Sequence, residues 1–426
     1  MNSVVKKEGI MKLKITYNIA KTHLLTKKKQ TLVAMLGVTF GIAMFIVMIS
    51  FMQGVNQFLE DSALDASPHV RIYKQITSDR PSLIETLNPN GLNVIHHQKP
   101  KQELARIKNG MIIARHIEGH PEVLGVSPQV SSQVFFNTGA VPIPGTLAGV
   151  DVMREEKLYR LSQRMKSGSI EDLRSNANGV ILGRLLARKL NLKTGDKVNV
   201  TSSTGGTALL RVVGIFSFGI QTVDDARGYV NTSKVQELIQ KDANYITDLH
   251  IKMKDPLKAI EFGKELARQY NYKVEDWATA NQAILAGEQI RGVMTYVISF
   301  TLLVVAGFGI YNIMNMNVMN KIKDIAILKA TGFDGRDVVA IFMIQSAIIG
   351  LLGAVLGVVI GFSLSYLLSI TPFTAGDFLA IDTFPVMFNP QHYGLGVLFG
   401  VITTLLAGYF PSRKAARIDP VEILRG

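Results

Sequence analysis

Four uncharged apolar stretches, each long enough to cross a bilayer as a helix, constrain this chain more than any other feature of its sequence. They cover residues 31–52, 292–320, 338–376 and 383–412, the last interrupted only by His392. A hydrocarbon core about 30 Å thick takes roughly 20 apolar helical residues. The third stretch exceeds one span and is expected to end near Ser369, because Thr371-Pro372 disfavours helix. Buried helices of a soluble core are shorter than this and do not recur four times. Composition agrees: a mean hydropathy of +0.22 with 19% charged residues is unusual for a soluble enzyme.

Lysine and arginine near the span ends set the orientation. Residues 1–30 hold eight lysines against one glutamate, net +7. Lys321, Lys323, Lys329 and Arg336 stand between the second and third stretches, and Arg413, Lys414, Arg417 and Arg425 follow the fourth. The connection at 371–382 has neither residue type. Both termini and the 320s loop are therefore expected in the cytoplasm, where these three segments place about +10 of the chain's +13. A nucleic-acid footprint would instead cluster on a folded domain. The first stretch exceeds a signal-peptide core and lacks a small-x-small site after it, so it reads as a retained signal anchor. Met11 is an alternative start, since 1–10 adds nothing recognisable.

The residues between the first two spans, 53–289, read as an α+β domain outside the cytoplasm. Short β-branched runs at 198–200 and 209–216 flank 202–206, a hairpin signal. Residues 179–192 read as a strand leading into a helix that stops before Thr194-Gly195-Asp196. Helical patterns follow at 233–241 and 255–270, and proline-bearing 77–106 reads as a loop. With no cysteine in the chain, only the core can hold this domain together. Its chemistry is sparse. His116 and His120 have i, i+4 spacing, but Gly119 and Pro121 weaken a helix there and no HExxH pattern supports a metal. The pairs Glu60-Asp61 and Asp224-Asp225 read as helix-end or loop charges, because adjacent side chains diverge. No GxxxxGK[ST] loop occurs, and 332–337 (GFDGRD) lacks both its spacing and its lysine. Any ATP used must bind elsewhere.

Five stretches together resemble the FtsX/MacB superfamily of ABC permeases, and within it the Lol-type lipoprotein-releasing permeases. They are 37–59 (GVTFGIAMFIVMISFMQGVNQFL), 179–200 (GVILGRLLARKLNLKTGDKVNV), 274–281 (VEDWATAN), 320–361, beginning NKIKDIAILKATGFDGRD, and 411–426 (PSRKAARIDPVEILRG). They run the length of the chain in the family's order. The resemblance implies a non-enzymatic inner-membrane permease, a cytoplasmic ATPase dimer holding ATP and magnesium, and a second permease copy or a sister subunit. It implies lipoprotein or other amphiphilic cargo. The short hairpin at 202–206 departs from the longer hook of the carrier-docking Lol permease, which leaves a periplasmic carrier open. MacB-like export of an amphiphile or peptide, and FtsX-like regulation, are the alternatives.

The resemblance gives the 320s segment its role. Ile325, Ile327 and Leu328 are apolar beside Lys323, Asp324 and Lys329, and Gly332 ends the helix, so the segment is expected to insert into a groove on the ATPase. A helix lying at the lipid headgroups is the alternative. Gly353, Gly357 and Gly361 repeat every four residues, with Gly350 before them, as in close helix packing in lipid. Phe40, Met44, Met48, Phe51 and Met52 share one helical face; flexible methionine suits varied acyl chains, and a lipid-facing stripe looks the same. The lysines at 12–29, interleaved with Ile15, Ile19, Leu24 and Leu25, suit a helix in the headgroup region. The expected fold is thus four transmembrane helices with an α+β extracytoplasmic domain inserted between helices 1 and 2. The segmentation is a cytoplasmic 1–30, spans at 31–52, 290–319, 338–369 and 391–411, and the domain at 53–289. A coupling segment at 320–337, an outer loop at 370–390 and a cytoplasmic tail at 412–426 complete it.

Overall fold

The computed structural model describes residues 15–26, 28–76, 84, 87, 91–92, 104–139, 141–373, 383–417 and 419–425. Most of the loop expected at 77–106, and the lysines before residue 15, lie outside the described residues. In chain order the elements begin with helices α1 (15–26) and α2 (Lys28–Ala66). An α+β region follows: β1 (Val70–Tyr73), α3 (Gly110–Glu118), β2 (Val123–Asn137), β3 (Ile143–Val150), α4 (Val152–Tyr159), β4 (Met165–Gly168), β5 (Gly179–Gly183), α5 (Arg184–Lys189), β6 (Lys197–Ser202), β7 (Thr207–Phe216), β8 (Arg227–Asn231), α6 (Thr232–Leu238), β9 (Asp248–Met253), α7 (Ala259–Gln269) and β10 (Lys273–Asp276). The chain ends with α8 (Gln282–Asn320), α9 (Ile322–Ala330), α10 (Gly335–Ile370), α11 (Pro390–Ala416) and α12 (Pro420–Arg425). Two compact units result. One takes Met1–Phe58, Ala286–Phe373 and Asp382–Gly426; the other takes Leu59–Leu285 and Thr374–Ile381.

In the helical unit, α2, α8, α10 and α11 are each long and apolar enough to cross a membrane. Both α2 and α8 have 39 residues, roughly 58 Å of helix, about twice the thickness of a hydrocarbon core. Hydropathy alone stops α2 near residue 52. The helix continues because half of the residues at 53–66 are Gln, Leu, Ala or Glu, good helix formers whether polar or not.

Helix α10 is the hub. Gly353, Gly357 and Gly361 all face α2: an added methyl at Gly353 would lie 2.7 Å from Val38 Cβ, and at Gly357 2.9 Å from Ile42 Cβ and 3.0 Å from Thr39 O. At Gly361 it would lie 3.1 Å from Ala43 Cα. The hydroxyl of Thr39 donates to Gly353 O at 3.2 Å inside this seam. One turn earlier Gly350 faces Thr404 of α11 instead. The loop at 383–389 meets α2 near its middle, where Met387 N donates to Ser50 O at 2.9 Å. Helix α8 is the least covered; Val293, Val297, Phe300, Val305 and Phe308 are all exposed.

The other unit holds a ten-stranded sheet with strand order β10-β1-β9-β2-β3-β8-β5-β7-β4, and β6 joins β2 and β7. Strand β2 has 15 residues and serves three partners, β9, β3 and, at 134–137, β6. Its first half pairs with β9, and Val130 to Phe136 pair with β3. Pro128 falls where β2 pairs on one side alone among the described residues, so its missing N–H costs no ladder bond. Strands β6 and β7 make an antiparallel hairpin, with Gly205 at φ 88° in its turn. Helices α3 and α4 pack on β2, α6 on β3 and α7 on β10.

A Gly357→Ala variant should separate α10 from α2 and cost about 1–3 kcal/mol. Thermal unfolding in detergent, followed by circular dichroism, should show a lower midpoint. Gly292→Ala, where an added methyl meets nothing within 4 Å, should track wild type. Equal midpoints for the two would show that the seam relaxes freely.

Candidate functional site

Helix α9 is built by its ends. After Ala330 the chain closes a Schellman turn: Phe333 N donates to Leu328 O at 3.1 Å, Gly332 N donates to Lys329 O at 3.1 Å, and Gly332 takes φ 102°. Asp334 and Asp337 then form a capping box that starts α10. A methyl on Gly335 would lie 3.2 Å from Ala416 O, so this turn sits against the end of α11.

The sequence groups Ile325, Ile327 and Leu328 as one docking side, and the structure corrects this. Ile325 is 1% exposed within the core of the helical unit, whereas Ile327 is 52% exposed. Two residues along a helix turn the side chain by about 200°, so 325 and 327 take opposite faces. Leu328, three residues after Ile325, is half-buried, and Lys323, four before Ile327, is exposed with it. Asp324 pairs with Lys321 at 2.6 Å, and the Lys329 ammonium donates to Ala416 O at 3.1 Å, capping α11. Helix α12 packs against α9. The outward face thus offers one apolar side chain flanked by a lysine, carried on a helix whose opposite side is core.

On α2, Phe40 is 63% exposed, while Met44, Met48, Phe51 and Met52 are half-buried. Phe51 meets Phe384 edge-on at 6.0 Å, and Phe384 stacks on Phe373 at 4.3 Å. The upper end of the stripe is therefore covered by the 383–389 loop. Two grooves lie elsewhere in the helical unit, and both were missed in the sequence. One of about 580 Å³ runs between α8 and α11, walled by Phe300, Phe308, Phe399 and Phe410. Another of about 360 Å³ lies between α1, α2 and α10.

The α+β unit contains a second feature that no motif announces. Glu155 of α4 is 1% exposed and accepts from Ser127 Oγ at 3.0 Å and from Gln129 Nε2 at 3.0 and 3.2 Å. Burial pushes its carboxyl up to about 7. Lys252, also buried, donates to Leu64 O and faces the Tyr159 ring at 4.9 Å; burial lowers it to about 8. The Tyr159 hydroxyl meets His250 Nδ1 at 3.1 Å. Burial, reinforced by Arg71, Arg227 and Lys252, holds His250 well below the usual imidazole range, and burial with Lys252 takes His69 down to about 4. The alternation of Ser127 and Gln129 was the one available signal, since both point to the same face of β2.

The histidine and acidic pairs have ordinary partners. His116 Nδ1 meets Tyr270 Oη at 2.9 Å, and His120 lies 4.8 Å from the Phe262 ring. No group of three potential metal ligands occurs among the described residues. Asp224 accepts from Ser217 Oγ, Phe218 N and Gly219 N, and Asp225 pairs with Lys189. The Asp224 contacts close the turn at 217–224.

Four helices apolar enough to cross a membrane, two of them joined at a glycine seam, and an α+β unit inserted between the first two long ones describe a permease-type membrane protein. The MacB-like periplasmic core domain matches residues 31–269, and the FtsX-like permease C-terminal domain matches residues 296–420. The chain belongs to the FtsX/MacB family of ABC transporter permeases. The lipoprotein-releasing system transmembrane protein LolC of Xylella fastidiosa is 24% identical over 93% of both chains. The macrolide export ATP-binding/permease protein MacB 2 of Aeromonas hydrophila is 25% identical, over 94% of this chain and 59% of that protein. Among solved structures, the extracellular domain of the transporter YknZ from Gram-positive bacteria aligns with a TM-score of 0.30 at 17% identity, over 49% of this chain and 100% of that one.

Glu155 makes the stability of the α+β unit depend on pH. Between its unfolded value of 4.5 and about 7, the folded unit holds a proton that the unfolded chain has lost. Stability therefore falls as pH rises through that window. His69 works the opposite way between about 4 and 6.5, so the wild-type profile partly cancels. The difference profile of Glu155→Gln isolates the carboxyl. Relative to wild type, the variant should gain roughly 2 kcal/mol from pH 5 to pH 7. Trp277 is the sole tryptophan and is buried in this unit, so its fluorescence during urea unfolding of the full chain reads the change. A difference constant with pH would mean that Glu155 is ionised in the folded unit.

Proposed function

We propose that this permease extracts lipoproteins from the inner membrane for transfer to the outer membrane, driven by a separate ATPase that binds ATP and magnesium. The observation carrying this reading is the lipoprotein-releasing relative that aligns over 93% of both chains. The absence of a GxxxxGK[ST] loop from the sequence supports a separate motor, as does MacB 2, whose name joins an ATP-binding part to a permease and of which this chain spans 59%. The exposed apolar face of α8 supports a second permease copy or a sister subunit. Topology follows from charge: Lys28 and Lys29 begin α2, Lys321 and Lys323 follow α8, and Arg413 and Lys414 end α11. All of these belong to the cytoplasmic side, with the α+β unit outside. Export of an amphiphile or peptide is the second reading, favoured by the MacB 2 match at similar identity.

Affinity purification from native membranes distinguishes the two. Recovery of an acylated protein together with an ATPase supports lipoprotein release; an ATPase with no acylated protein favours export. The purified chain alone should not hydrolyse ATP, and adding the cognate ATPase should give turnover.

Within this mechanism Ile327 is the anchor and Lys323 sets register. Ile327→Asp should weaken ATPase docking by about 2 kcal/mol, roughly thirtyfold in affinity, with the permease still folded. Ile325→Asp should instead unfold the helical unit, because it buries a charge in the core. Pull-down of the ATPase by the Ile327→Asp variant at wild-type yield would remove α9 as the coupling element.

A further inference from the structure

The groove between α1, α2 and α10 is amphiphilic. Tyr17 and Lys21 of α1 and Lys28 at the start of α2 line it, all exposed. Its apolar lining comes from all three helices, with Leu24 of α1, Leu32 and Met35 of α2, and Ile349 and Leu352 of α10 among it. Lys28, Leu32 and Met35 are spaced i, i+4, i+7, so charge gives way to apolar surface along one face, over roughly 10 Å of helix. The walls are fixed. Thr31 Oγ1 donates to Leu24 O at 3.0 Å, and Gln345 Nε2 meets His23 Nδ1 at 3.1 Å, tying α1 to α2 and to α10. No carboxylate lines the groove, and neither Lys21 nor Lys28 has an ion-pair partner among the described residues.

We infer that this groove binds one anionic glycerophospholipid, its phosphate between Lys21 and Lys28 and an acyl chain along Leu32, Met35 and Leu352. The inference rests on the chain lying in a bilayer, not on its cargo or its motor. Charge complementarity selects the occupant. Two uncompensated ammonium groups call for an anion, and the apolar remainder, at about 360 Å³ in all, calls for a hydrocarbon chain on the same molecule. Free phosphate would satisfy the first requirement alone. Basic pockets between membrane helices hold acidic headgroups in this way, and two lysines correspond to a preference of about thirtyfold over a zwitterionic lipid.

Native mass spectrometry of the full-length protein in detergent, titrated with dioleoyl phosphatidylglycerol against dioleoyl phosphatidylcholine, tests this. One phosphatidylglycerol per chain should be retained, about thirtyfold more strongly than phosphatidylcholine. Lys21→Gln with Lys28→Gln should bring the ratio near one, while Arg336→Gln with Lys414→Gln, basic residues outside the groove, should leave it unchanged. Leu352→Trp should fill the groove and lower retention of both lipids. A wild-type ratio near one would overturn the inference whatever the variants do, as would equal losses from the two double variants. No ATPase or cargo enters the measurement, so its failure is separable from failure of the transport mechanism.

Discussion

The close approach of α10 to α2 is the contact on which the helical unit depends. Lipid supplies no hydrophobic drive between helices, so their association rests on packing and on bonds that only close backbones can make. Three glycines in register bring α10 near enough for the Thr39 hydroxyl to reach Gly353 O. The same helix presents Gly350 to Thr404, and Ser346 to Gly408, which seats α11 on the adjoining face. Ile349, between these surfaces, also lines the groove shared with α1. A side chain on the seam would therefore disturb α11 and the α1 groove together. Helix α8 is not held in this way, and it is the least covered of the four long helices.

The α+β unit faces a different constraint, because it has no disulfide to hold it. Its long strand β2 leaves β9 for β3 near residue 130, and a strand that changes partners needs its register fixed. Ser127 and Gln129 lie just before that point and both donate to Glu155, which ties α4 to the strand. A buried carboxylate is costly, and removing its donors would cost more than the bonds they make. Burial answers part of that cost by keeping the carboxyl protonated up to about pH 7.

What was legible in the sequence followed from local rules. Lipid demands length without charge, so four stretches stood out, and the strand-to-helix and hairpin signals at 179–216 needed only their own residues. The polar continuations of α2 and α8 were illegible as helix because hydropathy marks membrane residues, not helical ones. The α1 groove draws on residues 17 to 352, and the Glu155 cluster on three elements, so neither has a spacing to read. The coupling face failed for another reason. Ile325, Ile327 and Leu328 are neighbours in sequence, but a helix separates the middle one from the other two.

That separation gives α9 a consistent physical role in the proposed mechanism. A docking helix must present a side chain outward and pass on force through its other side. Ile327 faces out with Lys323, while Ile325 is fixed in the core shared by α2, α8, α10 and α11. At its C-terminal end Lys329 holds the Ala416 carbonyl of α11, and the Schellman turn leads within four residues to the capped start of α10. A displacement at Ile327 thus meets two long helices with no slack between them. The glycine seam joins α10 in turn to α2, the helix that bears the Met44 and Met48 face.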